Sequence, residues 1–168
     1  MVNPRKPFRL NVGFIAKEEI GYSHQFPFEF DKAQLGDDLE LRPFGGLATV
    51  DRTPQGLFLQ GDFLGGVTLQ CVRCLEDFQH TLRWEFSELY AFNKKTVTES
   101  GLILPDDAHI DLQPLLREYA LLEVPINPIC KPECKGLCPV CGENLNVTDC
   151  GHHPDQDDSP FAVLKNLL

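Results

Sequence analysis

Cysteine is the residue type whose number and spacing most clearly indicate chemistry in this sequence. The 168 residues include 7 Cys, an odd number that would leave one thiol over if all of them served disulfides. They fall as three close pairs and one further residue: Cys71 and Cys74, Cys130 and Cys134, Cys138 and Cys141, and Cys150. Two thiolates on one tight turn take two corners of a tetrahedron around Zn²⁺, with Zn–S bonds of about 2.3 Å. The spacing therefore predicts metal binding by thiolates.

Eight side chains are available as ligands. His152 lies two residues after Cys150, so one imidazole joins the seven thiols and completes two sets of four donors. In one division, the first ion is held by Cys71, Cys74, Cys130 and Cys134, and the second by Cys138, Cys141, Cys150 and His152. In the other division, one four-thiolate ribbon is made by Cys71, Cys74, Cys138 and Cys141, and the remaining thiols stay free. Spacing alone leaves both divisions open.

Catalytic motifs are incomplete in this sequence. The nearest is that of the zinc nucleobase deaminases, in which H-x-E precedes P-C-x-x-C. Here Asp111 stands where that motif has Glu, and Pro139 lies between two cysteines instead of before them. A closed set of four protein ligands also leaves no position for a substrate on the metal. We therefore predict that the protein is not an enzyme, and a zinc-dependent hydrolase or deaminase is the weaker alternative.

The overall composition is acidic. Lys and Arg number 15 against 25 Asp and Glu, which gives a net charge of -10 at pH 7, while 42% of the residues are hydrophobic. The hydrophobic share is sufficient for a folded core. Affinity for nucleic-acid backbones depends on Lys and Arg, so the overall charge argues against free-standing RNA binding. Any contact with RNA is expected through a basic protein or through a local patch that includes Arg5, Lys6 and Arg9.

The N-terminal stretch indicates where the chain works. Its apolar run is broken by Asn11 and Gly13 and stopped by residues 17–19, so it lacks the core of a signal peptide. The sequence has no run of about 18 apolar residues that could span a membrane. In a reducing cytosol, closely spaced Cys pairs are more often metal ligands than disulfides. We expect a cytoplasmic protein without a membrane partner or a small-molecule substrate.

A long hairpin is predicted to hold the first cysteine pair. Apolar residues take alternate positions over residues 57–71, and Gly65 and Gly66 indicate a bulge or bend. The returning strand has its apolar residues on one parity, namely Leu82, Trp84, Phe86 and Tyr90. Shorter strands are predicted within residues 8–15, 21–30, 39–44 and 47–51. The first CxxC turn is therefore expected at a hairpin tip.

Two helices are predicted after the sheet. A helix near residues 111–122, capped by Asp111, is indicated by the helical spacing of Leu112, Leu115, Leu116, Tyr119 and Leu122. A short terminal helix is predicted to follow the acidic linker. The predicted fold class is α+β, with a curved, mainly antiparallel and partly barrel-like sheet, one or two helices and a C-terminal zinc-binding loop.

The chain is expected to have three parts. Residues 1–129 form the sheet-and-helix core, and residues 130–153 form the cysteine-rich metal-binding segment. Residues 154–168 combine an acidic linker with the terminal helix.

Four segments of the sequence resemble the bacterial and plastid YceD family. They are CVRCLE at residues 71–76, LLEVP at 121–125, the cysteine-rich block at 130–146 and SPFAVL at 159–164. The patterns C-x-R-C-L and C-x-G-L-C-x-x-C-G-x-N-L-N are the most specific, and the resemblance spans roughly residues 8–168. The family is linked to accumulation of the large-subunit (23S) ribosomal RNA. The resemblance thus implies a cytoplasmic, non-enzymatic ribosome-biogenesis factor.

The resemblance also bears on the metal ligands and the partners. Members without the distal cysteines keep ligand-type residues that resemble 71, 74, 130 and 134, which favours the first division and one or two structural Zn²⁺. Members with the full cluster end it with Cys-x-Cys, whereas this chain has Cys150-Gly151-His152. The implied partner is a precursor of the large ribosomal subunit or a basic ribosomal protein. A zinc-ribbon adaptor that binds a protein in transcription or translation is the alternative.

Overall fold

The computed structural model describes residues 7–152 and shows eight strands and one α-helix in that range. The strands are β1 (Arg9–Asn11), β2 (Ser23–Phe30), β3 (Ala33–Gln34), β4 (Glu40–Leu41), β5 (Phe44–Arg52), β6 (Gly56–Gln70), β7 (Asp77–Ala91) and β8 (His109–Asp111). The helix α1 spans Gln113–Leu122, and a short 3₁₀ turn spans Ile15–Lys17. The mainly antiparallel α+β fold predicted from the sequence is confirmed.

The main sheet has four strands in the order β2-β5-β6-β7. β2 pairs antiparallel with β5, and β5 pairs antiparallel with β6. Two further sheets have two strands each, β1 with β8 and β3 with β4. Because β2 and β7 are edges, the sheet is open, and residues 7–152 contain no closed barrel.

Alternation in β6 and β7 buries one face of the hairpin. The apolar core is built on the rings of Phe44, Phe63 and Trp84, with the Phe63 ring stacked against that of Phe86. The register of β6 against β5 runs without a skipped residue from Leu57 to Gly65. At Gly66, just beyond that stretch, two residues of the partner segment face one: the Arg42 N–H donates to the Gly66 carbonyl at 2.7 Å, and the Gly66 N–H donates to the Pro43 carbonyl at 3.0 Å. A Cβ on Gly66 would lie 2.1 Å from the Arg42 carbonyl oxygen.

Three predicted details differ from the structure. The first strand covers only residues 9–11, because the chain turns into the 3₁₀ turn whose Ile15 side chain is fully buried. Leu112 is the residue that precedes the helix, although the Asp111 carboxylate does accept a hydrogen bond of 3.0 Å from the Gln113 backbone N–H. Leu122 is 74% exposed and does not belong to the buried face, which instead ends with Ala120. The predicted terminal helix lies outside the described residues.

The described chain forms two compact units. One contains residues 7–68 and 79–126, and therefore most of the main sheet, the small sheets and α1. The other contains residues 69–78 and 127–152, with all seven cysteines. The second unit has little regular secondary structure, so its order must come from turns and from its cysteine clusters.

Candidate metal centre

Two turns in the second unit have the same backbone hydrogen bonds. In the first, the Cys71 N–H donates to the Glu76 carbonyl and the Leu75 N–H donates to the Cys71 carbonyl, both at 2.9 Å. In the second turn, Cys138 takes the place of Cys71, with distances of 2.8 Å to the Glu143 carbonyl and 2.9 Å from the Gly142 N–H. Both turns thus follow one pattern, which we call the first and second knuckle.

Each knuckle requires a left-handed residue directly after its second cysteine. Leu75 has φ 60° in the first knuckle and Gly142 has φ 75° in the second. Glycine adopts this conformation at no steric cost, whereas the Cβ of leucine comes too close to the following carbonyl oxygen. The first knuckle connects β6 to β7, as predicted for the tip of the long hairpin.

The first cluster brings four thiols together. The sulfurs of Cys71, Cys74, Cys130 and Cys134 all lie within 4.8 Å of one another. The Cys71–Cys134 sulfur distance is 3.8 Å and the Cys74–Cys130 distance is 3.7 Å. Four sulfurs at tetrahedral corners about 2.3 Å from one ion are about 3.8 Å apart, so the spacing fits Zn²⁺. A disulfide would require about 2.05 Å, and all seven cysteines are free thiols.

Backbone segments from two parts of the unit hold this cluster. The Val72 N–H donates to the Pro128 carbonyl at 2.9 Å, and the Leu137 N–H donates to the Arg73 carbonyl at 3.1 Å. The Arg73 side chain also donates to the Cys134 carbonyl at 3.0 Å. The first knuckle is thus fastened to the chain on both sides of Cys130 and Cys134.

Asn146 is a supporting residue that the spacing of cysteines did not indicate. Its Nδ2 donates to the Cys134 sulfur at 3.4 Å, and its Oδ1 accepts from the Lys135 backbone N–H at 2.9 Å. A donor aimed at sulfur stabilises the thiolate form and fixes the orientation of the ligand. Asn146 is the last residue of the N-L-N that ends the second sequence signature. That pattern alone does not indicate a hydrogen bond to a metal ligand.

The second cluster has three thiols and one imidazole. The ligand atoms of Cys138, Cys141, Cys150 and His152 also lie within 4.8 Å of one another. Cys138 is buried, whereas Cys141 and His152 are exposed, so this cluster is more accessible than the first, in which three of four cysteines are buried. The Val140 N–H donates to the Cys138 sulfur at 3.4 Å.

Local hydrogen bonds favour the thiolate form of some cysteines in each cluster. Burial opposes ionisation of Cys71, but backbone N–H groups, first those of Cys130 and Cys74, outweigh it and lower its pKa to about 6. The backbone N–H groups of Cys141 and Val140 lower the pKa of Cys138 to about 6. Burial and the neighbouring thiols raise the pKa of Cys130 to about 12. Crowded thiolates repel one another, and a divalent cation would relieve that repulsion.

The structure therefore gathers the eight predicted residues in the grouping of the first division. Cys71 and Cys74 lie with Cys130 and Cys134, not with the second knuckle as the four-thiolate ribbon requires. Each group has the donors and the spacing to bind a metal ion, and the sulfur-rich donor sets suit Zn²⁺. Such an ion would supply cross-linking of the turns, since four protein ligands close its coordination shell.

A family model described as large ribosomal RNA subunit accumulation protein YceD matches residues 59–168. That stretch is more than half of the chain and includes both knuckles and all eight candidate ligands. The chain belongs to the YceD family. The resemblance recognised in the sequence signatures is thereby confirmed.

Relatives of this YceD-family chain occur in bacteria and plants. An uncharacterized protein of Mycobacterium tuberculosis is 30% identical over 135 residues, covering 78% of this chain and 61% of the relative. The uncharacterized protein YlbN of Bacillus subtilis is 27% identical over 158 residues, covering 86% of this chain and 92% of YlbN. A maize protein is 45% identical over 93 residues, which cover 55% of this chain and 26% of the maize protein. It is named large ribosomal RNA subunit accumulation protein YCED homolog 1, chloroplastic.

The match to the mycobacterial relatives spans 61% of their length. No solved structure matches this YceD-family chain. Within residues 7–152, no helix is long and apolar enough to cross a membrane.

Proposed function

We propose that this protein is a ribosome-biogenesis factor that supports processing or accumulation of the large-subunit (23S) rRNA, with structural zinc and without catalytic activity. The observation that carries the proposal is the YceD family match, which includes both knuckles. Relatives from maize and Arabidopsis are named for accumulation of the large ribosomal RNA subunit. The chain would act in the cytoplasm on a precursor of the large subunit or a basic ribosomal protein.

The geometry of the clusters supports a structural role for the metal. Cys71, Cys74 and Cys134 are at most 4% exposed, so an ion among them would have no room for a substrate. The second unit contains short turns and few regular elements, and bound metal supplies folding free energy to such segments, on the order of 10 kcal/mol in an apparent sense. Zinc would hold the turns of the second unit in a fixed arrangement.

Depletion in the native organism tests the biological part. We expect loss of the protein to lower the ratio of large-subunit to small-subunit rRNA and to reduce the large-subunit peak in a sucrose gradient. Re-expression of the wild-type chain restores both, and re-expression of Cys134→Ser does not. Unchanged rRNA ratios and particle profiles after verified depletion would refute the proposal.

A protein-binding adaptor is the second candidate. The observation in its favour is the exposure of apolar side chains in the second unit: Val140 is 70% and Val147 79% exposed. Affinity purification of the tagged chain followed by mass spectrometry separates the two functions. Early large-subunit proteins among the captured partners support the first, and a polymerase or a single translation protein supports the second.

A further inference from the structure

A cavity of about 490 Å³ opens at the edge of the main sheet. One wall comes from the segment that includes β1, and the other comes from β2. The lining residues that matter are Arg9, Asn11, Phe14, His24 and Phe26. β2 is the first strand of the sheet and pairs on one side with β5, so the cavity lies beside a strand edge.

Three aromatic rings follow one another along this cavity. The Phe14 and His24 ring centroids are 5.0 Å apart with planes at 89°, and those of His24 and Phe26 are 4.7 Å apart at 71°. Phe14 is 41% exposed although it lies next to the fully buried Ile15. An exposed aromatic ring such as that of Phe14 can stack on an unpaired base of single-stranded nucleic acid.

The Phe14 ring stands on a fixed support. The 3₁₀ turn that follows it is anchored by Ile15, and the Ala16 carbonyl accepts a hydrogen bond of 3.2 Å from the Arg52 side chain. The Arg52 guanidinium lies 4.3 Å from the centroid of the Phe92 ring. A rigid platform loses little conformational entropy when a planar ligand binds.

Charge favours an anionic ligand at this place. Residues 1–17 contain Arg5, Lys6, Arg9 and Lys17 and no acidic residue, whereas all 25 Asp and Glu follow. Arg9, the cationic residue among those that line the cavity, therefore belongs to a stretch of sequence with excess positive charge. Arg9 lies 2.5 Å from Asp107 but remains 37% exposed, so part of its guanidinium can meet a phosphate.

An amide side chain supplies polar contacts. Asn11 uses its Oδ1 to accept from the Gly13 N–H at 3.1 Å, and its Nδ2 is a separate donor. Such groups hydrogen-bond to the edges of an unstacked base.

We infer that this cavity binds a nucleotide of single-stranded RNA, with the base stacked on the exposed Phe14 ring and the phosphate beside Arg9. The inference deepens the proposed function and rests on it only for the source of the RNA. An apolar protein segment is the competing occupant, and Arg9 disfavours it because an uncharged segment gains nothing from that cation.

RNA binding by the full-length chain tests the aromatic platform. The probe is a fluorescent single-stranded RNA of about 12 nucleotides, long enough for one small site, followed by anisotropy. Phe14→Ala should weaken binding by about tenfold, since one base–aromatic stack is lost. Leu64→Ala, which shortens another exposed apolar side chain at 47% exposure, is the matched control and should bind as wild type. Equal affinities of the two variants, or no binding by wild type, would overturn the inference.

Two variants that each remove one arginine test the phosphate contact. Arg9→Gln should weaken binding about threefold to tenfold and lower the salt slope by about one unit. Arg83→Gln removes an arginine that is also ion-paired to an aspartate, Asp62, but lies elsewhere on the sheet, so it should leave affinity unchanged. Equal losses in both variants would show a response to net charge alone and would overturn the site.

Complementation separates the failure of this inference from failure of the proposed function. If depletion lowers the large-subunit rRNA while the Phe14→Ala and Leu64→Ala chains bind RNA with equal affinity, the inference fails and the biogenesis role stands. If depletion leaves rRNA unchanged while wild-type chain binds RNA through Phe14, the inference stands and the biogenesis role fails.

Discussion

At the scale of single residues, the chemistry lies in the groups around the thiols. Cys134 shows the principle: its sulfur accepts a hydrogen bond from Asn146 and its carbonyl accepts one from Arg73. Partners of this kind orient a ligand, and their loss typically lowers metal affinity 10- to 100-fold. The thiol ligands could be predicted from the sequence because closely spaced cysteine pairs in a reducing cytosol are typically metal ligands, whereas Asn146 could not, because asparagine serves many roles.

Asn146→Asp tests the support of the first cluster. It keeps the acceptor for the Lys135 N–H but removes the donor to the Cys134 sulfur. We expect the first-cluster ion to be lost at about tenfold lower chelator concentration. Asn93→Asp is the control, because Asn93 also accepts a backbone N–H in a turn, from Lys95, but lies in the other unit. The same change in both variants would contradict the role given to Asn146.

Tyr90 gives the fold an alkaline limit. Burial, followed by the carboxylates of Glu88 and Asp111, raises the pKa of Tyr90 to about 12. In the unfolded chain the phenol ionises near pH 10, so above that pH the unfolded state binds fewer protons than the folded state. Stability present below pH 10 should therefore fall by about 1 kcal/mol per pH unit between pH 10 and 12. In urea unfolding, Tyr90→Phe should show a shallower decline than wild type; parallel curves would contradict this.

At the scale of elements, the knuckles and the long hairpin determine where the ligands lie. Alternation in β6 predicted the buried face of that strand correctly, because one-sided burial requires a period of two. The pairing of β1 with β8 carried no such signal, since Arg9 and its partner Asp111 are joined only by tertiary structure. The exposure of Leu122 could not be predicted for the same reason. Helical periodicity indicates which face of a helix is apolar, but not how far the neighbouring elements cover that face.

Gly142→Ala tests the conformation of the second knuckle. A Cβ at this position meets no atom within 4 Å, so the substitution adds only the cost of φ 75° to a side chain, about 1 kcal/mol. We expect roughly fivefold weaker retention of the second-cluster ion, measured by chelator competition. Gly101→Ala is matched, with φ 71° and equally open space in the other unit, and should not affect the metal. Retention that is equal in the two variants would be inconsistent with a knuckle that depends on this residue.

At the scale of the whole molecule, acidity and metal binding are linked. Seven thiolates carry more negative charge than two Zn²⁺ cancel, so filling both clusters would not make the chain basic. Residues 1–17 hold four of the 15 Lys and Arg and no acidic residue, which is why contact with an RNA-containing particle would be local. The family and the fold class followed from the sequence because signatures and strand alternation are both local features. The aromatic cavity did not, because Phe14 and His24 meet only in the folded chain.

The central claim is that two metal ions organise the second unit through eight side chains in two sets. Native mass spectrometry of the full chain, purified with zinc in the medium and without chelators, measures this directly. We predict two Zn²⁺ per wild-type chain, one in Cys141→Ser and one in Cys74→Ser, because each variant empties its own set. A folded wild-type chain that carries no metal, or one ion that both variants lose, would contradict the account.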